Sequence, residues 1–194
     1  MLISRCPDLE ELSIQGTHPN PADGVMLIKG GRWPKLRKLY LGDVVREWLM
    51  AAPPTPDTKS PFIIFLEAHP ALHSLSISRH AIDPSQFSEI SPDALGNLRD
   101  FEGSLYQLRA LPSTHSSLKK FSFRDPMPTS GMTPLDVAGV LQGLHSLTDL
   151  QIVFIVRSTY DSGTLLRSIV LLPNLQHLDL TFAHHPSLRL VRPQ

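Results

Sequence analysis

One arrangement of apolar and polar positions recurs along this 194-residue chain. An apolar residue is followed by two variable residues, an apolar residue, one variable residue and a further apolar residue. The phrase appears as Leu9-Leu12-Ile14, Leu36-Leu39-Leu41, Leu72-Leu75-Ile77, Leu118-Phe121-Phe123, Leu147-Leu150-Ile152 and Leu175-Leu178-Leu180. A degenerate copy, Leu98-Phe101, has Gly103 where the third apolar residue belongs. Successive copies begin 27, 36, 26, 20, 29 and 28 residues apart. The last two apolar positions are two apart, so they share one face of a β-strand, and the first reaches the same core from the turn leading in. A lone strand of this kind cannot bury its apolar face. Strands stacked side by side can, because their leucines then form a continuous column. Each such side chain contributes about 1.5–3 kcal/mol on burial. Backbone ordering opposes this at about 1–2 kcal/mol per residue, so several copies are needed before the stack is stable.

Between the phrases, the apolar segments Phe62 to Ala68, which leads into Pro70, and Leu135 to Leu144, with apolar residues at the helical spacing 137, 140, 141 and 144, read as helices. Thr164 reads as a helix cap ahead of Leu165, Leu166, Ile169 and Val170. These helices are expected to form the convex, outer layer. Two stretches, 51–61 and 124–134, read as inserted loops. With six good copies, and with Pro7, Pro34, Pro70 and Pro173 each two residues before a leading leucine, the sequence resembles the leucine-rich-repeat family over roughly residues 2 to 182. The resemblance implies an α/β solenoid with irregular repeats: a curved parallel sheet on the concave face, helices and loops on the convex face. On this reading, residues 1–194 form a single domain of about seven repeats. One feature departs from the family pattern. Many such repeats place Asn or Cys eight residues after the first leucine, whereas Thr17, Val44, His80, Tyr106, Pro126, Ile155 and Ala183 stand there. The turns must be satisfied in another way, and irregular curvature with looser loops is expected.

The residues that alternate with the leucines are expected to point out of the concave face. They are Glu11 and Ser13, Lys38 and Tyr40, Ser74 and Ser76, Asp100 and Glu102, Lys120 and Ser122, Asp149 and Gln151, and His177 and Asp179. Nearly all are polar, as a wetted sheet face requires. Their signs are mixed, which suits a protein or peptide partner better than a run of phosphates. Tyr40 beside Lys38 is the expected anchor, since aromatic residues are enriched among the few side chains that dominate an interface.

Composition narrows the function classes. The formal net charge is zero, which removes the usual electrostatic reason to expect nucleic acid or an acidic membrane surface. Apolar residues make up 41%, a globular value. The 18 prolines require frequent turns. The apolar runs, such as Ile152 to Val156, are too short to span a bilayer, and no signal-peptide pattern opens the chain. Cys6 is the single cysteine and cannot form an internal disulfide. An intracellular protein, cytoplasmic or nuclear, is expected. No nucleophile elbow, phosphate loop or metalloprotease motif is present, so neither an enzyme nor a cofactor is expected. His69, His73, His115, His145 and His177 recur near the strand starts, which points to structural turn roles. Cys6 before Pro7 reads as a small buried thiol.

The phrases Cys6-Pro-Asp-Leu-Glu-Glu-Leu-Ser-Ile14 and Leu172-Pro-Asn-Leu-Gln-His-Leu-Asp-Leu180 resemble the repeats of fungal F-box proteins. In that family an F-box docks onto a ubiquitin-ligase core and the repeats hold the substrate. No F-box-like segment precedes the first phrase, so the resemblance implies the substrate-recognition half. A stand-alone or receptor-type repeat domain unrelated to ubiquitin is the alternative. Solenoids need polar caps. Leu2 and Ile3 open the chain and Leu188 and Leu190 lie near its end, so a fragment of a longer repeat protein is expected, self-associating through its uncapped ends.

Overall fold

The computed structural model describes residues 2–15, 21–42, 59–78, 84–111, 116–123, 127–128, 133–156 and 162–184. In chain order the elements are α1 (Leu2–Arg5), β1 (Glu11–Ile14), α2 (Pro21–Gly30), β2 (Lys38–Leu41), α3 (Pro61–Glu67), β3 (Ser74–Ile77) and α4 (Pro84–Phe87). They continue with β4 (Asp100–Gly103), α5 (Leu105–Arg109), β5 (Lys120–Phe123), β6 (Met127–Pro128), α6 (Pro134–Leu141), β7 (Asp149–Val156), α7 (Ser162–Val170) and β8 (His177–His184). The class is α/β. All strands join one sheet, every pairing is parallel, and neighbours follow chain order from β1 to β5, then β7 and β8.

Every copy of the phrase supplies one of these strands, and all are in phase. Leu12, Leu39, Leu75, Phe101, Phe121, Leu150 and Leu178 stand opposite one another in a single column. The phase is enforced by burial. A slip of one residue would turn Lys38, Asp100 or Lys120 into the core and the apolar set out of it. The leading leucines of the five inner phrases are also buried. At Gly103 the missing side chain is replaced by a neighbour's ring: a Cβ there would lie 2.7 Å from Cζ of Phe101. That ring stacks on Phe121 at 6.0 Å, and Phe121 leads on to Phe123 and Phe154.

Two ladders join consecutive phrases. The carbonyls of Glu10, Arg37, His73, Arg99, Lys119 and Thr148 each accept two backbone N–H groups from the next phrase, at 2.7–3.0 Å. The second ladder runs through the residue just before the leading leucine. Asn97 Nδ2 donates to Pro70 O at 3.0 Å, Ser146 Oγ to Ser116 O at 2.7 Å, and Asn174 Nδ2 to His145 O at 2.7 Å. At the same position Lys35 pairs with Asp8. These bonds give the turns polar support without Asn or Cys eight residues after the leading leucines.

The helices cover the apolar side of the sheet. α3 turns Phe62, Ile63, Phe65 and Leu66 inward and leaves Ile64 outside. Ser60 caps it by accepting from Ile63 N, and Pro61 sits where no intrahelical donor is needed. α6 begins with a reciprocal Thr133–Asp136 capping box and buries Val137, Ala138, Val140 and Leu141. α5 has the same box in Ser104–Gln107. Gln107 is buried, and its Nε2 also reaches Ser78 O, which ties two repeats together. Glu67 at the end of α3 accepts from Ser91 N, Ser91 Oγ and Lys59 Nζ.

Several expectations need correction. Thr164 is not a cap: α7 begins at Ser162, two residues earlier. The 124–134 stretch is not all loop. Met127–Pro128 pairs with Phe154 and Ile155 of β7, Thr133 is a cap, and Pro134 already lies in α6. Most of the 51–61 insertion lies outside the described residues, but Ser60 and Pro61 belong to the start of α3. Cys6 is half-buried.

Candidate binding face

One side of the sheet carries the helices and the other carries none of the described elements. Strand alternation puts all fourteen anticipated residues on this second, open side. The pairing register arranges them in two rows. The first runs Glu11, Lys38, Ser74, Asp100, Lys120, Asp149, His177. The second runs Ser13, Tyr40, Ser76, Glu102, Ser122, Gln151, Asp179. With about 4.8 Å between neighbouring strands, each row is about 29 Å long.

The first row alternates in sign, and the alternation shows in its contacts. Lys38 Nζ is bonded to Glu11. That hydrogen bond and the Glu11 charge raise the Lys38 pKa, with Asp100 on the other side adding to it. Thr148 Oγ1 donates to Asp149 at 2.6 Å, and His177 Nδ1 lies 3.1 Å from Asp149. The Asp149 pKa is held below its ordinary value, first by the Thr148 hydroxyl, then by the charges of Lys120 and His177. In the second row Gln151 Nε2 donates to Asp179 at 3.1 Å. Across both rows five carboxylates face two ammonium groups, so the floor is acidic although the chain as a whole is neutral. Just before the strands, Arg37, Arg99 and Lys119 are exposed at one equivalent position, which exposed Glu10 also occupies ahead of β1.

The face is not uniformly wet. Glu11, Ser13, Lys38, Lys120, Gln151, His177 and Asp179 are exposed, while Tyr40, Ser74, Asp100, Glu102, Ser122 and Asp149 are half-buried. Ser76 departs from the expectation of a solvated side chain. It is 6% exposed, and its Oγ has no hydrogen-bond partner among the described residues. Alternation tells which side a residue faces, not how deeply its neighbours enclose it. Serine is small, and it stands in register between Tyr40 and Glu102. Toward β8 the face holds a shallow groove of about 610 Å³, walled by Lys120, Ser122, Asp149, Gln151, His177 and Asp179. A second hollow of about 600 Å³ lies on the helix side, between Phe87 and Leu111.

The histidines divide by role. His69 is buried in the turn before β3. Its Nδ1 lies 2.6 Å from Phe65 O, and its Nε2 accepts the Trp33 N–H at 3.1 Å. The two contacts together define a neutral ring protonated at Nδ1. His73 Nδ1 reaches Ala71 O in the same turn. His145 offers its carbonyl to Asn174, and His177 belongs to the open face. His115 lies outside the described residues. Among the described residues, no three His, Cys, Asp or Glu side chains gather as a metal-binding group, and no helix is long and apolar enough to cross a membrane. No protein-family model matches the chain, and no curated protein is similar to it.

Proposed function

We propose that the chain is a leucine-rich-repeat solenoid whose open face holds a protein partner, as the substrate-recognition part of an F-box-type ubiquitin-ligase adaptor. The carrying observation is the in-phase register. It lays two rows of polar side chains across seven strands and leaves them uncovered. A surface about 29 Å long is sized for a protein segment rather than a small molecule. Its acidic floor favours a partner with basic residues at the centre of contact. Tyr40 is the anchor, because it combines an aromatic body with a polar tip and is only half-buried. The adaptor role rests on the likeness of the Cys6–Ile14 and Leu172–Leu180 phrases to fungal F-box repeats.

A photo-crosslinking residue at Gln151, on the open face, should capture a partner that the same residue at Leu166, on the outer side of α7, does not. Tyr40→Ala should lower capture from position 151 at least tenfold while leaving the circular dichroism spectrum unchanged. Equal capture from both positions, or none from 151, refutes the binding face. The adaptor role makes a separate prediction. Residues 1–194 expressed alone in excess, competing for substrate with the assembled ligase, should lengthen the partner's lifetime in cells. An unchanged lifetime refutes that role and leaves a stand-alone binding domain.

A further inference from the structure

The two ends of the sheet differ. In the inner column, Leu12, Leu39, Leu75, Phe101, Phe121 and Leu150 are at most 8% exposed, whereas Leu178 in β8 is 44% exposed. The neighbouring end of α7 adds Val170 at 78% and Leu171 at 72%. β8 spans eight residues, and among the described residues only β7 pairs with it, along one of its two edges. A long edge with an apolar flank is a surface that strand pairing covers.

We infer that β8 is the seam of a two-fold homodimer, in which it pairs antiparallel with β8 of a second copy. Three observations select this occupant. The second edge of β8 is a strand edge, so another strand supplies its backbone partners. Leu12 in β1 is already buried, whereas a two-fold contact lets each exposed Leu178 meet its own like. Charge is also self-complementary. A register centred on Leu178 sets His177 against Asp179 of the second copy on the open side, where His177 already lies beside Asp149. The two Leu178 side chains then meet on the apolar side, flanked by α7. The seam leaves the open face uncovered, so its failure would leave the proposed function intact.

Sedimentation of the full chain over rising concentration should show a mass climbing from 21.6 kDa toward twice that value and no further. Leu171→Lys, at an exposed position beside the end of α7, should weaken the dimer at least tenfold with an unchanged circular dichroism spectrum. In a Cys6→Ser background, Leu178→Cys should oxidise to a covalent dimer. Directly opposed residues of antiparallel strands are about 4.5–5.5 Å apart at Cα, within disulfide reach. Head-to-tail stacking would place residue 178 beside residue 12 of the next copy, so Leu178→Cys alone would not crosslink and the mass would climb without limit. Either of those results overturns the two-fold seam. A monomer at every concentration overturns it too. If the thiol introduced by Leu178→Cys then resists a water-soluble maleimide in that monomer, another stretch of this chain is the cover.

Discussion

Replacing His69 with alanine should destabilise the fold by about 4 kcal/mol, and the sum can be traced to individual contacts. The imidazole is buried, lies tilted against Phe65 at 4.3 Å between centroids, and stacks on Trp33 at 6.1 Å. Losing a buried ring of this size costs about 2–3 kcal/mol. The Trp33 N–H would lose its acceptor in a dry site, which costs about 1–3 kcal/mol. For a chain of this length the melting temperature should fall by about 10 °C. His69→Gln isolates the protonation component. Burial lowers the pKa of this imidazole; the Phe65 carbonyl opposes that shift and the nearby Arg32 charge adds to it. A histidine with a depressed folded pKa contributes its full stability above the unfolded value of about 6.5. As the pH drops below that value the unfolded chain takes up a proton that the folded chain refuses. Stability then falls by up to about 1.4 kcal/mol per pH unit until the folded group protonates. Urea unfolding at about pH 7.5 and about pH 5.5, either side of the free imidazole pKa, measures the loss. The loss should be smaller in His69→Gln. An identical acid loss in both proteins, or a cost below about 1 kcal/mol for His69→Ala, refutes the buried neutral imidazole.

Gly103→Ala should cost about 1–3 kcal/mol, because the new Cβ would meet the Phe101 ring at 2.7 Å and Gln107 Oε1 at 2.9 Å. Adding Phe101→Leu should recover part of that loss in a double-mutant cycle by thermal melting; strict additivity would show that the ring does not fill the glycine's space. Asn97→Ala and Asn174→Ala should each cost about 1 kcal/mol in urea unfolding and add when combined, since they act on different turns. Ser76→Ala should be neutral or stabilising in the same assay, because it removes a buried hydroxyl that has no partner among the described residues. A loss above about 1 kcal/mol would mean that the hydroxyl is bonded in solution.

What could be read from the chain, and what could not, follows from how far each signal extends. The strand phrase was legible because one burial requirement acts on every copy, so seven weak matches reinforce each other. α3 and α6 were legible because each carries a full apolar face, whereas their caps and first-turn prolines, Ser60–Pro61 and Thr133–Pro134, read as parts of the loops before them. α4 and α5, with four and five residues, are shorter than two helical turns and show no period. Only the Ser104–Gln107 capping box marked α5, and the Thr133–Asp136 box likewise marked where the second expected loop ends. β6 left no trace, since its two residues are strand only because β7 runs on to Val156 and offers them a partner. The polar rows were legible as a side of the sheet, but the enclosure of Ser76 depends on its register neighbours Tyr40 and Glu102, which are 36 and 26 residues away.

The turn ladder shows why the lack of Asn or Cys eight residues after each leading leucine did not mean missing support. A side chain bonds a turn only where a turn carbonyl is within reach. At two of the positions eight residues after the leading leucine, this chain has Tyr106 exposed on α5 and Ile155 inside β7, so the backbone there is already engaged in helix or strand. The turn instead falls just before the leading leucine. There Leu36, Leu72, Leu98 and Leu147 each donate backbone N–H to the carbonyl three residues earlier. A three-residue closure leaves the carbonyl between unsatisfied within its own repeat. Asn97, Ser146 and Asn174 supply the missing donor from the following repeat. The polar residue moved with the turn, and the transferable signal is a short donor beside the leading leucine rather than an asparagine at a fixed offset.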